Sequence, residues 1–490
     1  MTDRPDPIAS DEADRPLNPL FSRLLAPLRV KLVRGLIRWG IAIAGIAIVL
    51  WNISLRDRVL ALGVAGSAIP REVRLVEPAP EVIRPETELA YIDFGGGTLR
   101  GSDLVYRPDR KMVRLRDGTT VRLLAMDLTS DPKSPQVRRL LVAASTDASA
   151  APSWILPQEV SGGFELRVPS PLVDRGVRTM LARADKGYLW LAVAVFPVVF
   201  LLTALRWQQL LRAVGIHLPF SRTFALNMVG CFYNSFMPGS TGGDVLKAYY
   251  AAKQTRHFRT RAVMSVIIDR IIGLLALVIL GGSMAGIQWM TASDGRDPAT
   301  RKSVQVAVGS MLILGAVAVA LCVLYVPALR RYTGLGFVLG RLPMQAQVGK
   351  ALETMELYRR RPGLVLGALL LTLPVHGTVV VSAMLSGMAF GLPLPAWYYF
   401  VAVPVIVLSG SIPISPQGAG VMEFFAIVLT RRAGCTIGEA FALTMCIRLV
   451  QIFWNLTGGL FVIKGGYHSP TQQEQASLVE EEEPAAVEQR

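Results

Sequence analysis

The strongest constraint on this chain is a series of eight apolar segments between Tyr188 and Lys464. Several reach the length of about 20 residues that an α-helix needs to cross the hydrocarbon core of a bilayer. The segments occupy residues 188–211, 223–237, 262–290, 303–327, 363–390, 397–414, 419–430 and 436–463. Of the 490 residues, 52% are hydrophobic, and the mean hydropathy of +0.42 is too high for a chain that buries its apolar surface in a water-soluble core. The pattern predicts an α-helical polytopic membrane protein.

The positive charge of the chain is distributed as it is in membrane proteins. The formal net charge is +15, but Arg and Lys mostly flank the apolar segments and form no continuous basic face. Clusters such as Lys247–Arg261 and Arg330–Arg361 favour the cytoplasmic side of the membrane. We therefore expect a multi-pass protein of a bacterial-type inner cell membrane, with both termini in the cytoplasm and no nucleic-acid partner.

The first 52 residues predict a tail and an anchor. Residues 1–32 are polar at first and then basic, which predicts a disordered, basic cytoplasmic N-terminus, and residues 33–52 contain an apolar run that predicts a transmembrane anchor. The alternative is a signal peptide that is cleaved near Ala68. The basic region before the apolar run is longer than signal peptides have, which favours a retained anchor.

Residues 53–187 predict a soluble, β-rich domain inserted after the first span. They are charged, contain no apolar segment of spanning length, and alternate polar with apolar positions. Asp117-Gly118 between two alternating runs predicts a tight hairpin. Because the anchor begins inside, we expect this domain to be extracytoplasmic and to offer a surface for a partner. At the other end of the chain, residues 465–490 predict a disordered, acidic cytoplasmic tail.

The first interruption of the apolar pattern predicts a re-entrant hairpin. The run that precedes Pro238-Gly239 begins after Arg222, and the helix that follows ends in a basic cluster, so both flanks favour the cytoplasm. A hairpin that enters the membrane and returns satisfies both preferences. Thr241 and Asp244 have the spacing of a capping box, so the second half-helix should begin near Gly242 with free N–H groups inside the membrane.

A second interruption, Ser411–Gly420, predicts a hairpin that enters from the opposite face. This arrangement leaves Arg431 and Arg432 outside, which is a mild violation of the positive-inside rule. The expected fold has about six full spans plus two re-entrant helical hairpins in an inverted repeat, as in secondary transporters. Irregular backbone at membrane depth is tolerated where it lines a wet cavity, so a polar cavity should lie between the hairpins.

Ionisable and small residues at these breaks and in the neighbouring spans form the candidate substrate-binding site, because charges at membrane depth are costly and usually functional. They are Asn234, Pro238, Ser240, Thr241, Gly242, Gly243, Asp244, Lys247, Asp269, Arg270, Ser415, Pro416, Gly418, Gly420, Glu423, Arg448 and Gln451. Half-helix N-termini in such a cavity suit an anionic head group, above all a phosphate.

Each of these assignments has a structural alternative. Asp269 and Arg270 point to different faces of a helix, and each can simply pair with another span. The glycines can serve tight helix packing, and the prolines can be plain kinks. Arg448 can extend its charge towards the membrane surface, although it lies near the middle of its segment.

A family resemblance rests on three groups of residues taken together. They are Asn234–Asp244 with Ala248-Tyr249-Tyr250, Ser265–Gly273 with Asp269-Arg270, and Ser415–Gly420 with Glu423. In this order they resemble the lysylphosphatidylglycerol synthase transmembrane region family, also called flippase-like domain proteins, over about 188–464. The resemblance implies a membrane region that transfers a modified phospholipid between leaflets. It also implies that the aminoacyl-transferase domain of the lipid synthases is absent, because only an acidic tail follows Lys464.

The sequence and the resemblance together predict a lipid flippase or transporter. Its expected substrate is a membrane lipid, either an anionic or aminoacylated phospholipid or glycophospholipid or another lipid-linked amphiphile. Two alternatives are a membrane-embedded transferase acting on a lipid-linked sugar or amino acid, and an envelope-assembly scaffold. We predict no catalytic residue, metal site or cofactor, since the four histidines lack metal-ligand spacing and no phosphate-binding loop of the GxxxxGK[ST] type occurs.

Overall fold

A computed structural model describes most of the module that precedes the long helices and most of the apolar half of the chain. The described residues are 55–108, 112–128, 136–144, 152–164, 172–235, 242–255, 258–291, 353–411, 418–465 and 467, with isolated positions between 305 and 320. The predicted N-terminus (1–32), the anchor (33–52), most of the segment 303–327 and the tail after 467 lie outside the described residues.

The module that precedes the long helices consists of short antiparallel strands. The strands are β1 (Arg58–Ala61), β2 (Arg71–Arg74), β3 (Glu88–Tyr91), β4 (Gly97–Arg100), β5 (Leu104–Val105), β6 (Met112–Arg114), β7 (Thr120–Leu128), β8 (Val137–Ala144), β9 (Ser153–Ile155) and β10 (Val173–Asp174). One sheet has the order β10-β1-β2 with β5 also on β1, another has the order β6-β7-β8-β9, and β3 pairs with β4. Alternate residues of β7 are buried, which fits a sheet with one face on a core.

The predicted hairpin at Asp117-Gly118 is confirmed, but its turn differs from the expected one. β6 and β7 pair in antiparallel register, with Arg114 opposite Thr120. The Gly118 N–H donates to the Leu115 carbonyl, and only Gly118 has a positive φ, of 89°. This is a three-residue loop with glycine in the left-handed position, because Asp117 keeps a negative φ.

A buried carboxylate joins the module to the first helix. Asp57 is 2% exposed, and its two oxygens accept the N–H groups of Ala79 and Gly176 at 2.9 and 2.8 Å. Gly176 is the N-cap of α1 (Val177–Arg183), so the carboxylate holds the start of this helix against the module. On the surface of the module, the hydrogen bond from Arg74 holds the pKa of Asp93 below its usual range.

Long apolar helices form the rest of the described chain. They are α2 (Lys186–Val195), α3 (Pro197–Ala213), α4 (Phe220–Asn234), α5 (Gly242–Gln254), α6 (Arg259–Thr291), α7 (Pro362–Ala389), α8 (Ala396–Gly410), α9 (Val421–Thr430), α10 (Ile437–Thr457) and α11 (Gly459–Gly465). Four stretches are long and apolar enough to cross a membrane: Lys186–Ala213, Arg259–Thr291, Pro362–Ala389 and Ile437–Gly465. The predicted helical membrane protein is thereby supported, with four of the expected spans among the described residues.

Hydrogen bonds between distant segments define two ends of the helical domain. At the module end, the Asp185 N–H donates to the Ala389 carbonyl at 2.9 Å, so the start of α2 lies beside the end of α7. At the far end, Arg361 Nη1 donates to the Arg212 carbonyl at 3.1 Å, so the end of α3 lies beside the start of α7. The two spans are therefore antiparallel.

The helical domain contains an internal repeat. The spans Lys186–Ala213 and Pro362–Ala389 each have 28 residues, and both their first and their last residues are 176 positions apart. Each is followed by a 15-residue half-helix, α4 or α8, then by a break and a second half-helix, α5 or α9, and then by a further long span. The two units thus share one order of elements, and their first spans pack antiparallel to each other.

The connection before each hairpin shows the repeat at the level of single residues. The two connections begin with Gly215 and Gly391, which have φ values of 83° and 65°. Each continues through a leucine to a proline, Pro219 or Pro395, that forms the N-cap of the following half-helix. Glycine tolerates the left-handed turn and proline suits the start of a helix, so this spacing of Gly-x-x-Leu-Pro sets the same corner twice.

Two glycines bring the half-helices α4 and α5 into close contact. A Cβ on Gly243 would overlap the carbonyl oxygen of Gly230, whereas a Cβ on Gly286 in α6 would meet nothing within 4 Å. Small residues at such positions let helix backbones approach each other.

We therefore expect Gly243→Ala to lower the free energy of unfolding by about 1–3 kcal/mol, because the hairpin must separate to admit the methyl group. Gly286→Ala is the matched control, and it should be neutral or stabilising by up to about 1 kcal/mol, since alanine favours the helix. Thermal unfolding in detergent measures both variants. Equal melting temperatures would contradict this account of the hairpin.

Candidate functional site

A polar cavity of about 260 Å³ lies where the two helical hairpins meet. The hairpin of α4 and α5 contributes residues along its length, and the hairpin of α8 and α9 contributes residues near its tip. The polar and ionisable lining residues are Thr203, Arg206, Asn227, Asn234, Asp244, Lys247, Asp269, Arg270, His376, Ser411, Gln451 and Asn455. Apolar side chains such as Phe196 and Phe200 complete the wall. The cavity thus combines charge with an apolar boundary.

The break in the first hairpin positions the start of α5 at the cavity. α5 begins at Gly242, as the sequence predicts, and the side chain of Asn234 accepts a hydrogen bond from the Gly243 N–H at 2.8 Å. Asp244 is the third residue of α5 and lines the cavity. A carboxylate in the first turn of a helix is stabilised by the positive end of the helix dipole.

Asp269 of α6 is the centre of a buried ion-pair network. One carboxylate oxygen accepts from Arg206 Nε at 2.7 Å, and the other accepts from Lys247 Nζ at 3.2 Å. The three side chains are only 4–10% exposed. Arg206 comes from α3 and Lys247 from α5, so the network joins a long span, the first hairpin and α6.

The two cations of the network are held by further neutral groups. Arg206 Nη1 donates to Thr372 at 3.2 Å, and Lys247 Nζ donates to Asn227 at 3.1 Å. The Lys247 ammonium also lies 4.1 Å from the centre of the Trp207 ring, which adds a cation–π contact. Charges taken out of water need such complete pairing, so this part of the wall is rigid.

A looser ion pair lies beside this network. Arg270 Nη1 is 3.4 Å from Asp244 Oδ2, and the side chains are 32% and 26% exposed. With Arg206, Lys247 and Arg270 against Asp244 and Asp269, the lining carries three positive charges and two negative ones. The excess of one positive charge, together with the start of α5, creates a local potential that favours an anion.

The second hairpin brings a different ion pair next to the cavity. Glu423 of α9 is 2% exposed and pairs with Arg448 of α10 at 2.8 Å. Its other oxygen accepts the Gly420 N–H at 2.7 Å, which caps the start of α9. Gly418, with a φ of 67°, lies so close to Gly410 that a Cβ would overlap the Gly410 backbone. The second tip is therefore tightly packed.

The structure brings six of the seventeen predicted site residues to the cavity wall. These are Asn234, Asp244, Lys247, Asp269, Arg270 and Gln451. Gly242, Gly243, Gly418, Gly420, Glu423 and Arg448 belong to the adjoining half-helix starts or to the ion pair behind the wall. Pro238, Ser240, Thr241, Ser415 and Pro416 lie outside the described residues. The structural alternatives also find support, since Asp269 and Arg270 pair with other helices and the glycines pack closely.

Several cavity residues escaped the sequence analysis. Arg206 is not among the seventeen predicted site residues, yet it is buried and holds Asp269. Its place inside the apolar segment 188–211 is the signal that marks such residues. His376 Nε2 lies 2.9 Å from the Gly273 carbonyl, and Asn227 lies on α4. Among the described residues, no three His, Cys, Asp or Glu side chains are grouped as metal ligands would be.

Removal of Asp269 should be strongly destabilising because it leaves two buried cations without their partner. We expect Asp269→Asn to lower the free energy of unfolding by about 3–5 kcal/mol. The control is Asp127→Asn in the module, whose partner Arg139 is 49% exposed. Exposed pairs of this kind contribute about 1 kcal/mol or less. Denaturant unfolding in detergent measures both, and a loss no greater than that of the control would show that the network is not stabilising.

Comparison with known proteins agrees with this architecture. The family described as "Lysylphosphatidylglycerol synthase TM region" matches residues 175–459. A UPF0104 membrane protein of Methanothermobacter thermautotrophicus is 24% identical over 307 residues, which cover 57% of this chain and 86% of that protein. A UPF0104 membrane protein of Pyrococcus horikoshii is 28% identical over 109 residues, which cover 22% of this chain and 32% of that protein. The chain thus spans about a third of the length of the Pyrococcus relative.

Proposed function

Because the chain belongs to the lysylphosphatidylglycerol synthase transmembrane region family, we propose that it is a lipid flippase or transporter, which moves an amphiphile with an anionic head group between the leaflets of the membrane. The observation that carries this proposal is the charged cavity between the two hairpin tips. Charges among apolar spans are costly and usually functional, so five of them around one cavity favour a role in binding a ligand.

The proposed path across the membrane depends on the orientation of the hairpins. We propose that α4 and α5 enter from the cytoplasmic face and return there, and that α8 and α9 do the same from the outer face. The antiparallel packing of the spans Lys186–Ala213 and Pro362–Ala389 supports such an inverted repeat. In this arrangement the β-rich module lies on the outer face, beside the starts of α2 and α10, where it is available to a partner.

The cavity chemistry supports an anionic head group. The excess positive charge and the N–H groups at the start of α5 would stabilise a phosphate. The apolar wall that includes Phe196, Phe200 and Val379 would contact the adjoining part of the lipid. The lipid is moved without a covalent step. The two repeats move against each other around the site and expose it to one leaflet and then to the other.

Lipid movement is directly measurable with the purified protein in vesicles that contain fluorescent phospholipids. We expect dithionite to quench the inner-leaflet label over time in vesicles with the wild-type protein. Lys247→Met should slow this exchange about tenfold or more, because it removes one of the three positive charges of the cavity wall and with it the excess that favours an anion. Arg138→Gln on the exposed face of β8 removes the same charge outside the cavity and should leave the rate unchanged.

Two results would contradict the proposal. The first is a wild-type rate equal to that of empty vesicles for phospholipids of every head group. The second is transfer of a radiolabelled sugar or amino acid to a lipid without any movement between leaflets, which would favour the membrane-embedded transferase.

The proposed orientation of the two hairpins predicts which face of the membrane the residues after each hairpin reach. A tag inserted near Thr255, after α5, should be accessible from the cytoplasm, and a tag near Ala433, after α9, should be accessible from the outer face. The reason is that each hairpin returns to the face from which it enters. Protease protection in right-side-out and inverted membranes measures the two sites. Accessibility of both tags from one face would rule out the opposed hairpins.

A further inference from the structure

Each hairpin is tied to the next long helix by an ion pair at the same place in the repeat. Asp244 is the third residue of α5, and Glu423 is the third residue of α9. Their partners, Arg270 and Arg448, are each the twelfth residue of the following helix, which begins at 259 or at 437. A pairing that occurs twice at equivalent positions points to a shared mechanical role.

The two ion pairs are in different states. Asp244 and Arg270 are 3.4 Å apart, line the cavity, and are about a quarter to a third exposed. Glu423 and Arg448 are 2.8 Å apart and only 2% and 12% exposed. The first pair is therefore loose and open to the cavity, whereas the second is closed and dry.

The first hairpin lines more of the cavity than the second hairpin does. From the first hairpin the cavity contacts residues as far apart as Asn227, Asn234 and Lys247, whereas the second hairpin contributes residues next to its tip, such as Gly410 and Met422. Those tip residues pack closely, since a Cβ on Gly410 would lie 2.8 Å from the Met422 sulfur. The described residues of the second tip thus lie between the cavity and the module end, and Glu423 and Arg448 directly follow the lining residues Met422 and Ile447.

We infer that Glu423 and Arg448 are positioning residues that keep the second hairpin closed, and that passage of a ligand requires this pair to loosen as the Asp244–Arg270 pair tightens. This inference rests on the proposed function. The basis for this exchange is that the two repeats place the same kind of ion pair at equivalent positions, loose in the first repeat and tight in the second, as two states of one arrangement would be. Among the described residues, neither Arg448 Nε and Nη2 nor Glu423 Oε1 has a hydrogen-bond partner, so this pair is held by the attraction of its charges.

The loss of Glu423 should open the module end. An arginine left unpaired at this depth must reach water. We expect water to reach Arg448 between the second tip and the cavity. A merely structural role would instead lower stability without changing the side from which the cavity is reached.

Cys231 in the cavity wall provides a reporter of access. In a background with Cys322→Ser, Cys435→Ser and Cys446→Ser, a membrane-impermeant thiol reagent is added to one face of membrane vesicles at a time. We expect Cys231 to react from the far end and only slowly from the module end. Glu423→Gln should raise the module-end rate about tenfold or more.

Matched variants distinguish the opening of the second hairpin from a general loss of structure. Asp244→Asn removes a carboxylate at the equivalent position of the first repeat and should not raise labelling from the module end. The charge exchange Glu423→Arg with Arg448→Glu should restore slow labelling there. If Glu423→Gln does not fold, Glu423→Asp retains the charge with a shorter reach and should still raise the module-end rate.

The outcomes distinguish this inference from the proposed function. Labelling of folded Glu423→Gln or Glu423→Asp from the module end at the wild-type rate overturns the inference, even if the wild-type protein moves lipid. Wild-type protein that moves no lipid, and whose Cys231 reacts from neither face, overturns the proposed function itself.

Discussion

The pairing of Asp269 with Arg206 and Lys247 is the interaction on which the helical domain depends. A charge within an apolar bundle is stable only when an opposite charge and hydrogen-bond partners surround it. This requirement draws α3, α5 and α6 together around one carboxylate. The first hairpin cannot leave this position without exposing a cation to hydrocarbon, so the network also determines where the start of α5 lies.

The two repeats have similar frameworks, but the Asp269 network occurs in the first repeat alone among the described residues. In the second repeat, the positions equivalent to Lys247 and Asp269 are Ala426 and Ile447, both buried in the apolar core. The position equivalent to Arg206 is Ser382, which hydrogen-bonds the Ala192 carbonyl. The charged residues of the Asp269 network therefore belong to the first repeat, whereas the equivalent positions of the second repeat are uncharged and buried.

Buried polar contacts join the module of short strands to the helices. Asp57 holds the N-cap of α1, and Asp174 of β10 lies near Thr436, the N-cap of α10. Burial raises the pKa of Asp174 despite the nearby Arg107. These contacts lie at the module end, where α8 also begins.

Much of the helical framework follows from the sequence because its causes are local. Segment length predicts the long helices, and Pro and Gly predict where they break, so α5 begins at Gly242 as expected. The sequence also contains the Gly-x-x-Leu-Pro pattern twice, at 215–219 and 391–395. Only the structure shows that both copies lead into equivalent half-helices. In the module, the hairpin at Asp117-Gly118 was predictable, while the order of the strands was not, since pairing between distant strands leaves little trace in one sequence.

By itself, the sequence determined that this chain is a helical membrane protein with two interrupted segments and with ionisable residues among apolar ones, since hydrophobic length and helix breaking are properties of neighbouring residues. Only the tertiary structure decided which charges meet. Arg206 and Asp269 are 63 positions apart, and nothing near either residue specifies the other. The physical reason is that an ion pair depends on distance in space, which the packing of α3 against α6 sets.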